Sequence, residues 1–247
     1  MIVRQTRLRD REGTWDVAVE QGRITAIEKK VDTRGAREIR ADGKLLCSTF
    51  VEPHVHLDKA LISETVAPNR SGTLTEAIEI IWEKKKNYRK EDVIERASRV
   101  IEWAVMNGTT VMRTHVDVDS IVGLKAVEAL LTVREKYQDL MDLQIVAFPQ
   151  EGILKDKGCD ELLEEAMKMG CNVVGGMPYN ERTPQDWRKH IDMVFRIAKE
   201  HNADIDMHVD ETDDPAARSL AIVAQRAIEH GYQDRVTAGH TCALSAY

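Results

Sequence analysis

No apolar run in this chain approaches the roughly 18 residues that a bilayer-spanning helix requires, so a membrane protein is not expected. The opening residues, Met1-Ile2-Val3-Arg4-Gln5-Thr6, lack the basic-then-apolar order of a secretory signal. A basic stripe is missing as well. Lys and Arg total 35 against 42 Asp and Glu, a net charge of -7, which argues against nucleic acid as a partner. The cysteines, Cys47, Cys159, Cys171 and Cys242, are scattered and form no CxxC pair. They read as reduced core residues, which excludes a cysteine zinc knot and points to a cytoplasmic setting. What remains is a small-molecule partner, with a homo-oligomer left open.

Of 247 residues 43% are hydrophobic, enough for a large core. The first 45 residues are β-rich. Residues 15–27 (WDVAVEQGRITAI) form two alternating runs around Gln21-Gly22, the pattern of a hairpin. Residues 1–45 are therefore expected to be the N-terminal part of a small β-sandwich domain. From residue 46 the pattern becomes strand and helix in alternation. Strands are expected at 45–57, 109–118, 143–148, 172–177, 205–209 and 236–238. Helices are expected at 74–86, 91–107, 123–137, 161–169, 186–201 and 214–230, several ended by Asn107-Gly108, Gly170 or Gly231.

Six such repeats imply a parallel sheet. A doubly wound sheet usually carries a glycine-rich loop after its first strand, and none follows Leu57. Gly175-Gly176 alone is a weak signal. The expected fold is an α/β TIM (β/α) barrel over 46–247, truncated after six of its eight units. A complete open sheet is the alternative.

Five of the eight histidines, His54, His56, His115, His208 and His240, fall near the C-terminal ends of expected strands. That rim is where barrel enzymes build active sites. His54 and His56, two apart on a strand, share a face and can reach one metal ion. His115 and Asp117 share a face likewise and could form an outer layer that orients a ligand, but both read as structural residues. His190, His201 and His230 lie on or beside helices and are expected to be solvated.

These pieces resemble the amidohydrolase superfamily, and within it cytosine deaminase. The resemblance is carried by FVEPHVHLD at 50–58, SGTL at 71–74, RTHVDV at 113–118, DLQIVAFPQEGIL at 142–154, HVDE at 208–211 and RVTAGHT at 235–241. It implies one divalent metal ion, Zn or Fe, held by His54, His56 and His208. It implies Glu211 as proton shuttle and His240 as the residue that orients water. It implies that Gln150 reads the ring's amide edge and Leu74 lines the pocket. The implied reaction is hydrolytic deamination of a pyrimidine-like ring. Isocytosine, a purine or an aminated triazine is the nearest rival substrate, and a non-catalytic barrel shell is the rival of another class. The H-x-E and P-C-x-x-C signature of the nucleoside-type zinc deaminases is absent. Lys59 follows Asp58, but a carboxylated lysine belongs on the fourth strand, and 172–177 has none, so a single metal is expected. The resemblance also implies a metal-site aspartate after an eighth strand. The chain has no counterpart, and the expectation is weak metal binding and poor catalysis.

Overall fold

The computed structural model describes residues 1–32 and 35–246. The chain divides into two compact units, Met1–Thr49 and a second that begins at Phe50. In the first, β1 (Ile2–Leu8), β2 (Arg11–Glu20), β3 (Arg23–Glu28) and β4 (Glu38–Arg40) form one sheet in the order β3-β2-β1-β4. The β2–β3 turn is Gln21-Gly22, with φ of 49° and 74°. Two successive positive φ values are what a two-residue turn needs to match the strands' twist, and glycine supplies one without strain. Ile2, Ala18 and Val31 form this unit's small core.

In the second unit β5 (Phe50–Val55), β6 (Thr109–Asp117), β7 (Asp142–Phe148), β8 (Val173–Gly176), β9 (Asp204–Val209) and β10 (Val236–His240) pair in parallel and in chain order. Helices α1 (Leu74–Lys85) and α2 (Lys90–Met106) follow β5. Then α3 (Lys125–Tyr137), α4 (Cys159–Met169), α5 (Pro184–Glu200) and α6 (Ser219–Glu229) follow β6 to β9 in turn. A strand order that never reverses is the winding of a β/α barrel; a doubly wound sheet reverses at a switch point. The unit is a six-stranded parallel part of a TIM-type barrel, with β5 and β10 as its edges among the described residues.

Local chemistry explains the helix ends. Thr73 caps α1 by accepting from the Glu76 N–H, and Thr183 caps α5 in the same way, with Pro184 in the first turn. Gly170, at φ 118°, closes α4. Leu163, Ile191 and Phe195 are fully buried in the shared core. Each such side chain contributes about 1.5–3 kcal/mol relative to exposure. Gly175 lies where a Cβ would stand 2.7 Å from the Ala147 carbonyl oxygen. The Gly175-Gly176 pair is thus a packing requirement between neighbouring strands.

Two expectations need correction. Cys159 and Cys171 are buried, but Cys47 and Cys242 are exposed. His190 is fully buried rather than solvated. It shares the inner stripe of α5 with Val194 and Ile197, four and seven residues on, a phase its sequence already carried. No helix among the described residues is long and apolar enough to cross a membrane.

Candidate active site

Parallel strands alternate their side chains, so every second residue of β6, β7, β9 and β10 faces the same side. A lower polar layer forms first. Arg113 donates to Gln144 Oε1 at 3.0 Å and to Asp206 Oδ2 at 2.8 Å. Two residues further along, β6 and β9 present His115 and His208, and β7 presents Phe148 four residues beyond Gln144. From the edge, β5 adds His54 and, one residue past its end, His56. The β5–β6 pairing slips by one residue between Glu52 and Val55, where Pro53 has no N–H to give. Bulges of this kind re-aim side chains, and proline is tolerated there because β5 is an edge.

The five rim histidines therefore meet. His56 Nε2 stands 3.1 Å from His208 Nε2. The His54 ring lies 4.7 Å from His208, 4.3 Å from His115 and 5.0 Å from His240, centroid to centroid. Phe148 stacks on His208 at 4.1 Å. His115 Nε2 sits 3.2 Å from Asp206 Oδ1, off the hydrogen-bonding direction. Glu211 Oε1 lies 3.5 Å from His240 Nδ1. His240 and Thr241 have φ of 64° and 51°. A β-branched residue in that region is strained, and such strain gathers at functional sites.

This donor set fits a divalent ion. Nitrogens of His54, His56 and His115, and separately of His54, His208 and His240, lie within 4.8 Å of one another. Two ligand nitrogens, each ~2.1 Å from a shared tetrahedral ion, would lie about 3.4 Å apart, close to the His56–His208 spacing. Burial, then the neighbouring imidazoles, lowers the His54 pKa to about 4. Burial likewise holds His56 and His208 well below the ordinary imidazole range. They are neutral near pH 7, with lone pairs available. His56 Nδ1, His208 Nδ1 and both His115 nitrogens are buried without a hydrogen-bond partner among the described residues.

Across the cavity the arrangement is ionic. Lys85, fully buried at the end of α1, donates to Asp117 Oδ2 (3.0 Å), Asp119 Oδ2 (2.6 Å) and Glu151 Oε1 (2.7 Å). Lys59 donates to Asp117 Oδ1 (2.6 Å) and to Gln150 Oε1 (3.0 Å). Burial alone would raise the Asp117 pKa, but the two ammonium groups hold it below its usual value. Asp58 has no such contact. Burial, aided by the Asp117 charge, outweighs Lys59 and lifts its carboxyl to about 6. Between the two clusters lies a cavity of about 390 Å³, lined on a third side by Leu74, Ala77, Ile78 and Ile81 of α1.

Comparison with known proteins places this geometry. The description of the amidohydrolase family matches residues 37–247. The chain belongs to the amidohydrolase family. It is 35% identical over 244 residues to N-isopropylammelide isopropyl amidohydrolase of Pseudomonas sp. (strain ADP), covering 97% of this chain and 60% of that protein. It is 31% identical to pterin deaminase of Rhizobium rhizogenes (strain K84 / ATCC BAA-868), covering 93% of this chain and 52% of the relative. Among solved structures, 5-methylcytosine deaminase from Klebsiella pneumoniae, liganded with 5-fluorocytosine, superposes with a TM-score of 0.92 at 39% identity. That match covers all of this chain and 60% of the other. The chain thus spans between half and three-fifths of the length of these relatives.

In this amidohydrolase all seven residues singled out from the sequence line one cavity: His54, His56, His208, Glu211, His240, Gln150 and Leu74. His115, offered as an outer-layer residue, is inside the histidine cluster, while Asp117 turns to the lysines. Sequence reading gave no role to Lys85, Asp119 or Glu151, although Glu151 lies in the quoted 142–154 motif. Asp117 and Asp119 at two-residue spacing gave a signal. Lys85 gave none, because Lys84-Lys85-Lys86 reads as an exposed charged run.

Proposed function

We propose that this amidohydrolase carries the substrate-binding and most of the metal-binding face of an enzyme that hydrolyses an amino group from a six-membered nitrogen ring bearing a carbonyl, of the cytosine type. The carrying observation is that histidines, a carboxylate and a glutamine at the ends of four strands converge on one cavity sized for such a ring. Water and the amino-substituted ring carbon give a ring carbonyl and ammonia.

His54, His56 and His208 would hold the ion, zinc or iron, with His115 and Asp206 behind them. When bound, such an ion activates water near neutral pH and polarises the ring. The remaining work falls to side chains. Glu211 passes a proton to the ring nitrogen and then to the departing amine. His240, beside Glu211, holds the water in line. Gln150 holds the ring on the opposite side. Lysine can only donate, so the Gln150 atom facing Lys59 is its oxygen; one carboxamide N–H is given to Met177 Sδ at 3.3 Å, and the second N–H is left as the recognition group. A donor there favours a ring carbonyl over rings with none, such as adenine.

The apolar α1 wall would pack on the ring or on an alkyl substituent. Two of the similar proteins are named for alkyl-bearing rings, 5-methylcytosine and N-isopropylammelide. That observation also keeps a second reading, removal of an amine from an oxo-triazine.

The test is ammonia or amine release by the natural full-length protein loaded with Zn²⁺ or Fe²⁺. Turnover is expected on cytosine, 5-methylcytosine or an amino-oxo-triazine, and not on adenine. No release from any carbonyl-bearing ring overturns the proposal.

A further inference from the structure

Gln150 owes its place to residues outside the cavity. The loop after β7 turns sharply at Gly152, which has φ 90° and whose N–H returns to the Pro149 carbonyl at 3.0 Å. Beyond the turn, three successive backbone N–H groups converge on one carboxylate, that of Glu181 in the loop after β8. Ile153 and Leu154 donate to Oε1 at 2.6 and 3.0 Å, and Lys155 donates to Oε2 at 3.1 Å. Consecutive main-chain donors around an anion form a nest. A Cβ at Gly152 would stand 2.9 Å from Oε1, so glycine is needed both for φ and for room.

Glu181 is held from behind by the fully buried His190, whose Nδ1 lies 2.8 Å from Oε1. The other ring nitrogen, Nε2, receives the Met177 backbone N–H at 3.0 Å. A main-chain N–H only donates, so the ring is the Nδ1–H tautomer and gives its proton to Glu181. The same short segment also grips Gln150 directly. Met177 Sδ lies 3.3 Å from Gln150 Nε2, and Asn180 Nδ2 donates to the Gln150 carbonyl at 2.6 Å. Side chain and backbone of Gln150 are thus both tied to residues 177–181, and Glu181 and His190 fasten that segment to the loop. Neither Glu181 nor His190 lines the cavity.

We propose that Glu181 and His190 are positioning residues that set where the Gln150 carboxamide meets the ring, and so govern which substrates are held rather than how fast they react. This rests on the reading that Gln150 grips the substrate. The carboxylate closes on the residues immediately behind Gln150, and the imidazole is oriented by the segment that touches its side chain.

Glu181→Gln tests it in the full-length protein. The amide keeps the size and one acceptor but turns an N–H2 group toward main-chain donors. KM for the preferred ring should rise roughly tenfold or more with kcat within about threefold, the signature of lost uniform binding. Metal content should not change. His190→Asn, which keeps a donor near the Nδ1 position, should retain a KM closer to wild type than His190→Ala does. A fall in kcat with unchanged KM, or no change in either, overturns the proposal. So does failure of both His190 variants to fold, which would make the pair a fold element only. Hydrogen exchange separates this idea from the functional reading. If no ring is turned over by the parent protein, Glu181→Gln should still speed exchange at residues 150–155 while leaving 54–58 and 208–211 unchanged. Uniform or absent change there overturns it independently.

Discussion

On one side of the cavity His54, His56, His115 and His208 crowd together; burial disfavours the charged form of His54, His56 and His208, and His56 Nδ1, His208 Nδ1 and both His115 nitrogens meet no partner among the described residues. On the other, Asp117, Asp119 and Glu151 converge just as closely, and their oxygens also have the spacing of a metal site. The difference is Lys85, whose ammonium already sits among those oxygens. One cluster carries its own cation, and the other is a donor set that fits one. Acidic residues gathered in space are therefore not by themselves a metal centre; what decides is whether a positive charge is already supplied. The histidine side is the one the proposed function assigns to chemistry, and the lysine side fastens α1 and holds Gln150 through Lys59.

The sharpest break between the two sides should come from His208→Ala and Lys85→Met compared directly. In the natural full-length protein, His208→Ala is expected to lower bound zinc or iron well below one equivalent. Turnover should fall by roughly 10³-fold or more, about 4 kcal/mol of barrel-mouth catalysis. Lys85→Met should leave the metal in place. Elemental analysis and steady-state assay of both variants settle it. If His208→Ala keeps its metal, or Lys85→Met loses it, the division of labour drawn here is wrong.

Stability should separate them the other way. Removing Lys85 leaves buried Asp119 and Glu151 without their cation and Asp117 with Lys59 alone, a loss of about 3–5 kcal/mol. The cost is read as a lower urea midpoint at unchanged slope. In metal-free protein His208→Ala should cost less, since the imidazole it removes is uncharged and its ring contacts, Phe148 among them, are with neighbouring rings rather than a buried ammonium. A Lys85→Met chain as stable as its parent would mean that protons or another cation replace the ammonium.

Much of this was legible in the sequence, for reasons that differ by element. The six strands and six helices were legible because parallel strands are continuous apolar runs and the helices carry a clean 3.6-residue stripe. The rim histidines were legible because strand periodicity and the position of His54, His56 and His208 at strand ends do not depend on distant neighbours. Lys85 was not. Its burial is decided by three carboxylates, 32, 34 and 66 residues away in sequence, and nothing in a run of lysines distinguishes the one that turns inward. Glu181 was hidden for a similar reason, since its partners are backbone N–H groups, which every sequence has. His190 was misread by treating a polar residue on a helix as solvated, although its phase placed it with the core.

The smallest effect is the most discriminating for the two clusters, because acid should push them in opposite directions. In metal-free protein His54, His56 and His208 bind protons less readily folded than unfolded. Their contribution to stability is full above the ordinary value of 6.5 and is lost as pH falls toward about 4, the folded value of His54. Asp58 behaves in reverse: at about 6, against an ordinary 3.8, it binds its proton more readily when folded. Its burden on stability at neutral pH is relieved between about 6 and 4, and Glu151, raised by burial, acts in the same sense. Three imidazoles outnumber two carboxylates, so the unfolded chain takes up more protons and stability should fall on acidification. Asp58→Asn removes one of the opposing groups. Its amide oxygen can still accept the Asp117 N–H that Asp58 Oδ2 accepts. Between pH 6 and 4.5 the variant should therefore lose stability more steeply than its parent, by up to ~1.4 kcal/mol per pH unit, the value of one proton. Urea titrations of chelator-treated protein across that range read the slope. An Asn variant with an equal or shallower slope would show that Asp58 is ionised throughout, and that the lysines neutralise its side of the cavity more fully than their contacts with Asp117 suggest.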